Sequence, residues 1–559
     1  MNKKNQLRIY LAFALAALGT CSVVTAQPAP VKRQARQILT ECNLKGGMIV
    51  HIGCGKGDLT AALGAGDSYL VHGLDRSANY VTLARKNIQS LGVYGTVSVE
   101  KLGATILPYI DNLVNLVVSE DLGDVPMSEV MRVLCPNGTA YIRNNDKWTK
   151  TVKARPKEID EWTHYLHDAS NNAVSHDTVV GPPRRMQWIG SPKFGRHHDR
   201  MSSVSAAVSA NGRVFCILDE ASRASILIAP EWNLVARDAF NGTILWKRSI
   251  SKWYNHLWPL KSGPAQLPRR LVATGDRVYV TLAFDAPLTA LDAATGETIR
   301  TYETTKAAEE VIFSDGVLFA LVNDAADKGD FHGTQRFGKG YNVEVWNQQP
   351  RKIVAVSAES GDVLWTSNQR VLPATLAANG KGVIFHDGAS VVCLDRNTGD
   401  ENWRSEPVAR AEKMLGFYLP ILVLYDDVVL FSGGETAGLQ TGAWYMNGKD
   451  TMTALSAETG EQLWKAYHPP SGYRSPEDLL VANGLVWTGE TTSGRASGAF
   501  TGRDPLTGEV KSEFSPDTEV YWFHHRCYRG KATDNYLLMA RAGTVFIDVR
   551  KEKWLPHHW

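Results

Sequence analysis

The sequence predicts two folded parts: a small α/β domain with an open, mostly parallel sheet, then an all-β propeller of repeated four-stranded units. Three observations predict this. Across residues 46–145, short apolar runs alternate with helix-like stretches, which is the pattern of successive βαβ units. From about Asp160 onward the runs become short and strand-like, and one hairpin recurs seven times, the mark of a repeat architecture. Ahead of both, residues 1–26 have the make-up of an export leader.

In the leader, Lys3, Lys4 and Arg8 form a basic start. Residues 9–18 are apolar but too few to span a bilayer, and Val24-Thr25-Ala26 makes a small-residue cleavage site. The expected location is therefore outside the cytoplasm, periplasmic or extracellular. Leu18-Gly19-Thr20-Cys21 has the outline of a lipoprotein box, so membrane association is expected only if Cys21 is lipidated. Beyond the leader lie Cys42, Cys54, Cys135, Cys216, Cys393 and Cys527, far apart and in no CxxC pair. They read as isolated buried thiols, with room for one disulfide.

The 559 residues allow two or three domains, and 44% apolar with 21% charged residues is ordinary for a globular chain. A net charge of +2 gives no electrostatic case for nucleic acid.

The α/β domain is assigned to residues 31–146. Its apolar runs "MIVHI", "YLVHGL", "TVSVEKL", "LVNLVVS" and "TAYIR" read as buried parallel strands. Helical stretches at 78–91 and 127–134 lie between them. The first strand runs into "GCGKG", where Gly53, Gly55 and Gly57 let the backbone approach a ligand at the carboxyl end of the sheet. Asp75 ends the second strand, where a carboxylate can accept hydrogen bonds from a ribose diol.

The glycine turn, the second-strand acid and "VLCPNGTAYI" together resemble class I S-adenosylmethionine-dependent methyltransferases over about 100 residues. The resemblance implies a Rossmann-like fold and a cofactor site at Gly53, Cys54, Gly55, Gly57 and Asp75. Three departures mark the domain as degenerate. His51 stands where the family usually has an acid, and Gly103 where it has the acid that binds the adenine amino group. The two strands that complete the family's sheet are replaced by "DKWTKTVKARPKEIDEW", read as a basic linker. Glu120 and Asp121 follow strand four, near where a general base would sit, and read equally as a helix start.

Residues 147–185 are assigned to linker and propeller leader, and 186–559 to the propeller. The hairpin copies include "LVARDAFNGTILWKR" from Leu234, "LTALDAATGETIRTY" from Leu288 and "MTALSAETGEQLWKA" from Met452. Each turn usually ends in glycine, at Gly242, Gly296, Gly361, Gly399, Gly460 and Gly508, and the next strand often carries a tryptophan, Trp246, Trp365, Trp403 or Trp464. The glycine supplies the positive φ of a tight turn. The tryptophans are expected to wedge between blades.

These units resemble the pyrroloquinoline-quinone-type propeller repeat. That family includes eight-bladed quinoprotein dehydrogenases, which hold the quinone with calcium, and outer-membrane assembly scaffolds of the same shape that bind no cofactor. Seven copies are visible; either leader strands complete the final blade or, the reading favoured here, an eighth blade is expected in the intact protein. There is no Cys-Cys dipeptide of the kind often found in the dehydrogenases.

His197, His198 and Asp199 in "KFGRHHDRM" and His524 and His525 in "YWFHHRCYR" are the candidate metal ligands. His164, His167, Asp168 and His176 cluster in the propeller leader. Three insertions, at 249–269, 323–351 and 433–449, are rich in Trp, Tyr, Asn, Gly and Arg. They suit a protein or glycan ligand on the propeller face. The reading that results is an exported propeller acting as a binding protein or scaffold, with an appended degenerate methyltransferase-like domain. Two alternatives stay open: a pyrroloquinoline-quinone-dependent oxidoreductase, and an active S-adenosylmethionine-dependent methyltransferase.

Overall fold

A computed structural model of the chain describes residues 28–145, 147–193, 195–196, 200–258, 264–324, 346–411, 419–433, 451–469, 478–489, 499–515, 529–541 and 543–557. The chain divides after Arg155 into two units.

In the first unit the strands β1 (Gly47–Ile52), β2 (Tyr69–Asp75), β3 (Val97–Lys101), β4 (Val114–Ser119), β5 (Leu134–Asn144) and β6 (Lys147–Val152) form one sheet. Its order is β3-β2-β1-β4-β5-β6. The first five strands are parallel and β6 runs antiparallel to β5. Every residue of β1 is buried because both faces of the sheet are covered. Ile49 packs on one side with Ala35, Ile38, Val81, Ala84 and Ile88 from the helices α1 (Ala29–Glu41) and α3 (Ala78–Ser90). Val50 packs on the other with Val130 and Val133 of α4 (Met127–Val133). A short helix α2 (Asp58–Leu63) follows the glycine turn. Burying a side chain such as Ile49 contributes about 1.5–3 kcal/mol.

Strand β6 is a correction to the sequence reading, which placed these residues in a linker beginning at 147. The stretch pairs with β5 from Thr139↔Val152 to Asn144↔Lys147. It looked like a linker because all of it but Trp148 is exposed. Trp148 holds it down by stacking on Tyr141, with ring centroids 4.8 Å apart.

The second unit contains, among its described residues, six antiparallel sheets of four successive strands each and a seventh of four antiparallel strands joined by a fifth, parallel strand, Val174–Ser175, from the leader. They span residues 204–249, 271–302, 308–369, 377–407, 421–467, 480–514 and 531–557, blades one to seven here. The expected repeat is therefore present, blade by blade.

The recurring hairpin works as a socket. In blade four, Gly399 has φ 76°, and a Cβ there would lie 2.6 Å from Cε3 of Trp365 in blade three. The indole N–H of Trp365 donates to the carbonyl of Arg396, three residues before that glycine, at 2.8 Å. Trp246, Trp403 and Trp464 donate in the same way to Ala293, Ala457 and Pro505 of the next blades. Two sites vary. Tyr302 Oη takes over the donation, to Ala358, where Arg300 stands in the tryptophan position. In blade seven Glu552 occupies the glycine position at φ 52° and accepts from Ser512 Oγ. Trp188, missed in the sequence because no repeat surrounds it, fills the socket of blade one and donates to Ala239.

Within each blade consecutive strands alternate in direction, so the glycine turns all lie at one face. The insertions at 249–269, 323–351 and 433–449 leave after a second or fourth strand. The strand ends that precede them therefore lie at the opposite face, while residues 259–263, 325–345 and 434–449 of the insertions lie outside the described residues.

Residues 162–173 bond to the innermost strand of every blade in turn. The carbonyls of Trp162, Thr163, Ala169, Ser170 and Ala173 accept from the amides of Ser209, Ala273, Ala378, Leu424 and Ala532. His164 Nε2 accepts from the Phe313 amide, and Asn172 Oδ1 from the Val481 amide. Val174–Ser175 then pairs in parallel with Lys531–Thr533 of blade seven.

Candidate functional sites

The glycine turn is built as its sequence requires. Gly53, Gly55 and Gly57 have φ of 76°, 53° and 81°, backbone that a side chain would strain. A Cβ on Gly57 would lie 2.9 Å from that of Ala84, so helix α3 rests on the turn. At Gly55 and at Gly103 a Cβ would meet nothing within 4 Å.

Asp75 is buried beside the turn, and its two carboxylate oxygens accept from the amides of Gly55 (2.9 Å) and Ser77 (2.8 Å). Each oxygen keeps a lone pair, so a diol could still bind. The ribose end of S-adenosylmethionine thus fits the residues present. The rest fits less well. His51 is buried, bonded through Nδ1 to Thr60 Oγ1 at 2.9 Å, and burial pushes its pKa down to about 4. It is a neutral ring where the family has a charge. Gly103 brings no side chain to the base end. Cys54 is buried and burial pushes its thiol up to about 12, which makes it a poor nucleophile. Glu120 lies 4.0 Å from Arg143, and Asp121 accepts from the Gly123 amide, so both have local structural duties.

The candidate metal ligands His197, His198, Asp199, His524 and His525 lie outside the described residues. Among the described residues no group of three or more His, Cys, Asp or Glu side chains is placed to hold a metal ion.

The leader cluster fastens the hub. His164 uses both ring nitrogens, toward Thr163 Oγ1 (2.8 Å) and the Phe313 amide, and burial pushes its pKa down to about 4. His167 sits between Asp160 (2.9 Å) and Asp168 (3.3 Å). Burial opposes its charge, but the two carboxylates outweigh burial and push its pKa up to about 9. His176 meets Asp534 of blade seven at 3.2 Å.

Deeper along the axis is a buried network that the sequence did not signal. Asn171 donates to the carbonyls of Leu376 and Leu422. Arg269 bonds Asn171 Oδ1 (3.0 Å), the Leu376 carbonyl (2.7 Å) and Glu310 (2.9 Å). Arg269 and Glu310 are only 5% and 1% exposed, so their pairing is what makes both charges tolerable there. Cys42, Cys54, Cys135, Cys216 and Cys393 are in no disulfide and all but the half-buried Cys216 are buried, and Cys527 lies outside the described residues.

Fold and repeat define a two-part chain, a quinoprotein-type β-propeller preceded by a class I methyltransferase-like domain. A family model described as outer membrane protein assembly factor BamB matches residues 145–302 and 350–518. That is more than half of the chain, and the chain belongs to this family. A methyltransferase-domain model matches residues 49–138. No curated protein matches the chain.

Among solved structures, a putative S-adenosyl-L-methionine-dependent methyltransferase from Methanococcus maripaludis is 26% identical over 20% of this chain, with TM-score 0.19. The chain spans 55% of that protein's length. BamB from Moraxella catarrhalis is 16% identical over 64% of this chain and 92% of its own, with TM-score 0.36. A europium-containing methanol dehydrogenase is 10% identical over 71% and 84%, with TM-score 0.43.

No helix among the described residues is long and apolar enough to cross a membrane.

Proposed function

We propose that this is an exported binding or scaffold protein whose propeller carries the interaction surface. The methyltransferase-like domain keeps the fold without the chemistry. One observation carries the reading: the propeller axis, the natural ligand channel of such a fold, is taken up by the chain's own leader and by the Arg269–Glu310–Asn171 network. Three aromatic-rich insertions that follow strand ends at a single face support a protein or glycan partner there. Neutral His51 and bare Gly103 support loss of methyl transfer.

The test is an absorbance spectrum of the full chain after incubation with pyrroloquinoline quinone and calcium, then desalting. The expected result is no retained chromophore; stoichiometric retention would sink the reading in favour of an oxidoreductase. Calorimetry with S-adenosylmethionine is expected to show millimolar or weaker binding, and micromolar binding would restore the enzyme alternative.

A further inference from the structure

Around the first residues of blade two, three arginines meet two glutamates. Arg269 pairs with Glu310 at 2.9 Å, and Arg351 pairs with Glu309 at 2.9 Å. Both glutamates are thereby committed. Arg270 is 3% exposed, and no carboxylate lies within ion-pairing distance of it among the described residues. Its Nη1 donates to the Phe284 carbonyl at 2.6 Å and its guanidinium lies 4.2 Å from the centre of the Phe284 ring. Its Nε has no partner. A buried cation with no direct ion pair is costly in a folded protein.

The neighbours are also short of partners. Leu271 pairs with Val280, which brings Arg270 next to Thr281 at the end of the ladder. Thr281 is fully buried and its hydroxyl is unpartnered. The buried Trp258 indole N–H, in the connection leading to blade two, is unpartnered as well. Phe284 packs on Tyr254 and Tyr254 on Trp258, each pair 5.8 Å between ring centroids. Folded proteins leave few such groups unsatisfied, and two of them, Arg270 Nε and Thr281 Oγ1, stand side by side at the end of one ladder. Burial pulls the Arg270 pKa below its ordinary value, while Glu309, Tyr254, Asp285 and Glu310 pull it the other way.

We propose that Arg270 is the receiving cation of a buried site for a small carboxylate with an apolar or aromatic body. A guanidinium edge matches a planar carboxylate. The walls of Phe284, Tyr254 and Trp258 favour an apolar body over a strongly hydrated phosphate. Arg270 precedes the first strand of its blade and Thr281 ends the second, so both lie at the end of the blade away from its glycine turn.

The test is calorimetry of the full chain with benzoate, with phosphate and chloride at matched ionic strength as the contrary arms. Benzoate is expected to bind with Kd below about 1 mM, and chloride and phosphate at least about tenfold more weakly. Arg270→Met should fold with an unfolding midpoint no lower than wild type and lose about 30-fold or more in benzoate affinity. Thr281→Val, which leaves the cation in place, should weaken benzoate about threefold to tenfold. No benzoate binding, equal binding of phosphate, or unchanged affinity in Thr281→Val or a folded Arg270→Met would each overturn the proposal.

Discussion

The blade socket makes a quantitative prediction that separates backbone strain from docking. Gly399→Ala places a methyl 2.6 Å from Trp365 Cε3 at φ 76°. Left-handed backbone costs an alanine about 1–2 kcal/mol. Carbon atoms pack best at about 3.5–4.0 Å, so the indole must withdraw by roughly 1 Å, an overpacking cost of about 1–3 kcal/mol. That withdrawal also weakens the 2.8 Å bond to the Arg396 carbonyl, worth about 1 kcal/mol. The total is about 3–6 kcal/mol. Gly316→Ala is the control, with φ 82° but nothing within 4 Å, so only the backbone cost of about 1–2 kcal/mol applies. Urea unfolding followed by tryptophan fluorescence should show Gly399→Ala the less stable by about 2–4 kcal/mol. Equal losses in the two variants would refute the socket account.

Other consequences are as specific. His167 has its folded pKa raised to about 9, so its stabilisation is complete below the unfolded value of about 6.5 and is lost as pH rises through 9. Wild type should lose about 3 kcal/mol across that window, and His167→Gln should show a flat profile in the same urea titrations. Arg269→Met leaves Glu310 buried without its ion pair, held only by the Ala374 amide, which should cost about 3–5 kcal/mol. A second change, Glu310→Met, should return part of that loss in a double-mutant cycle. Asp75→Asn replaces one of two acceptors for the Gly55 and Ser77 amides by an N–H donor. It should destabilise the first unit by about 1–3 kcal/mol, read from its own thermal transition.

What the sequence made legible was whatever its chemistry settles locally. The glycine hairpins declare themselves because the turn needs positive φ and the repeat supplies several copies of one solution. The tryptophans were expected between blades, and their indoles are bonded there. Strand β6 escaped because its register is set by pairing with β5 and a single aromatic stack, not by an apolar alternation. The leader escaped for a related reason. Its bonds go to main-chain groups of seven blades, up to 359 residues away between Ala173 and Ala532, and a backbone amide carries no sequence signal. Arg269 and Glu310, 41 residues apart, look like any two surface charges until the ring brings them together. At the glycine turn the opposite holds: Gly53, Gly55 and Gly57 take the expected positive φ and Asp75 ends the second strand, while His51 is a buried, neutral ring.

The central claim is that the chain fills its own propeller axis with residues 160–176. Hydrogen exchange with mass-spectrometric detection on the peptide covering these residues tests it most directly. The account predicts protection in the slowest class, opening together with the inner strands that carry Ala273, Phe313, Ala378, Leu424 and Ala532. Exchange of this peptide as fast as an exposed linker, with those strands still protected, would contradict it.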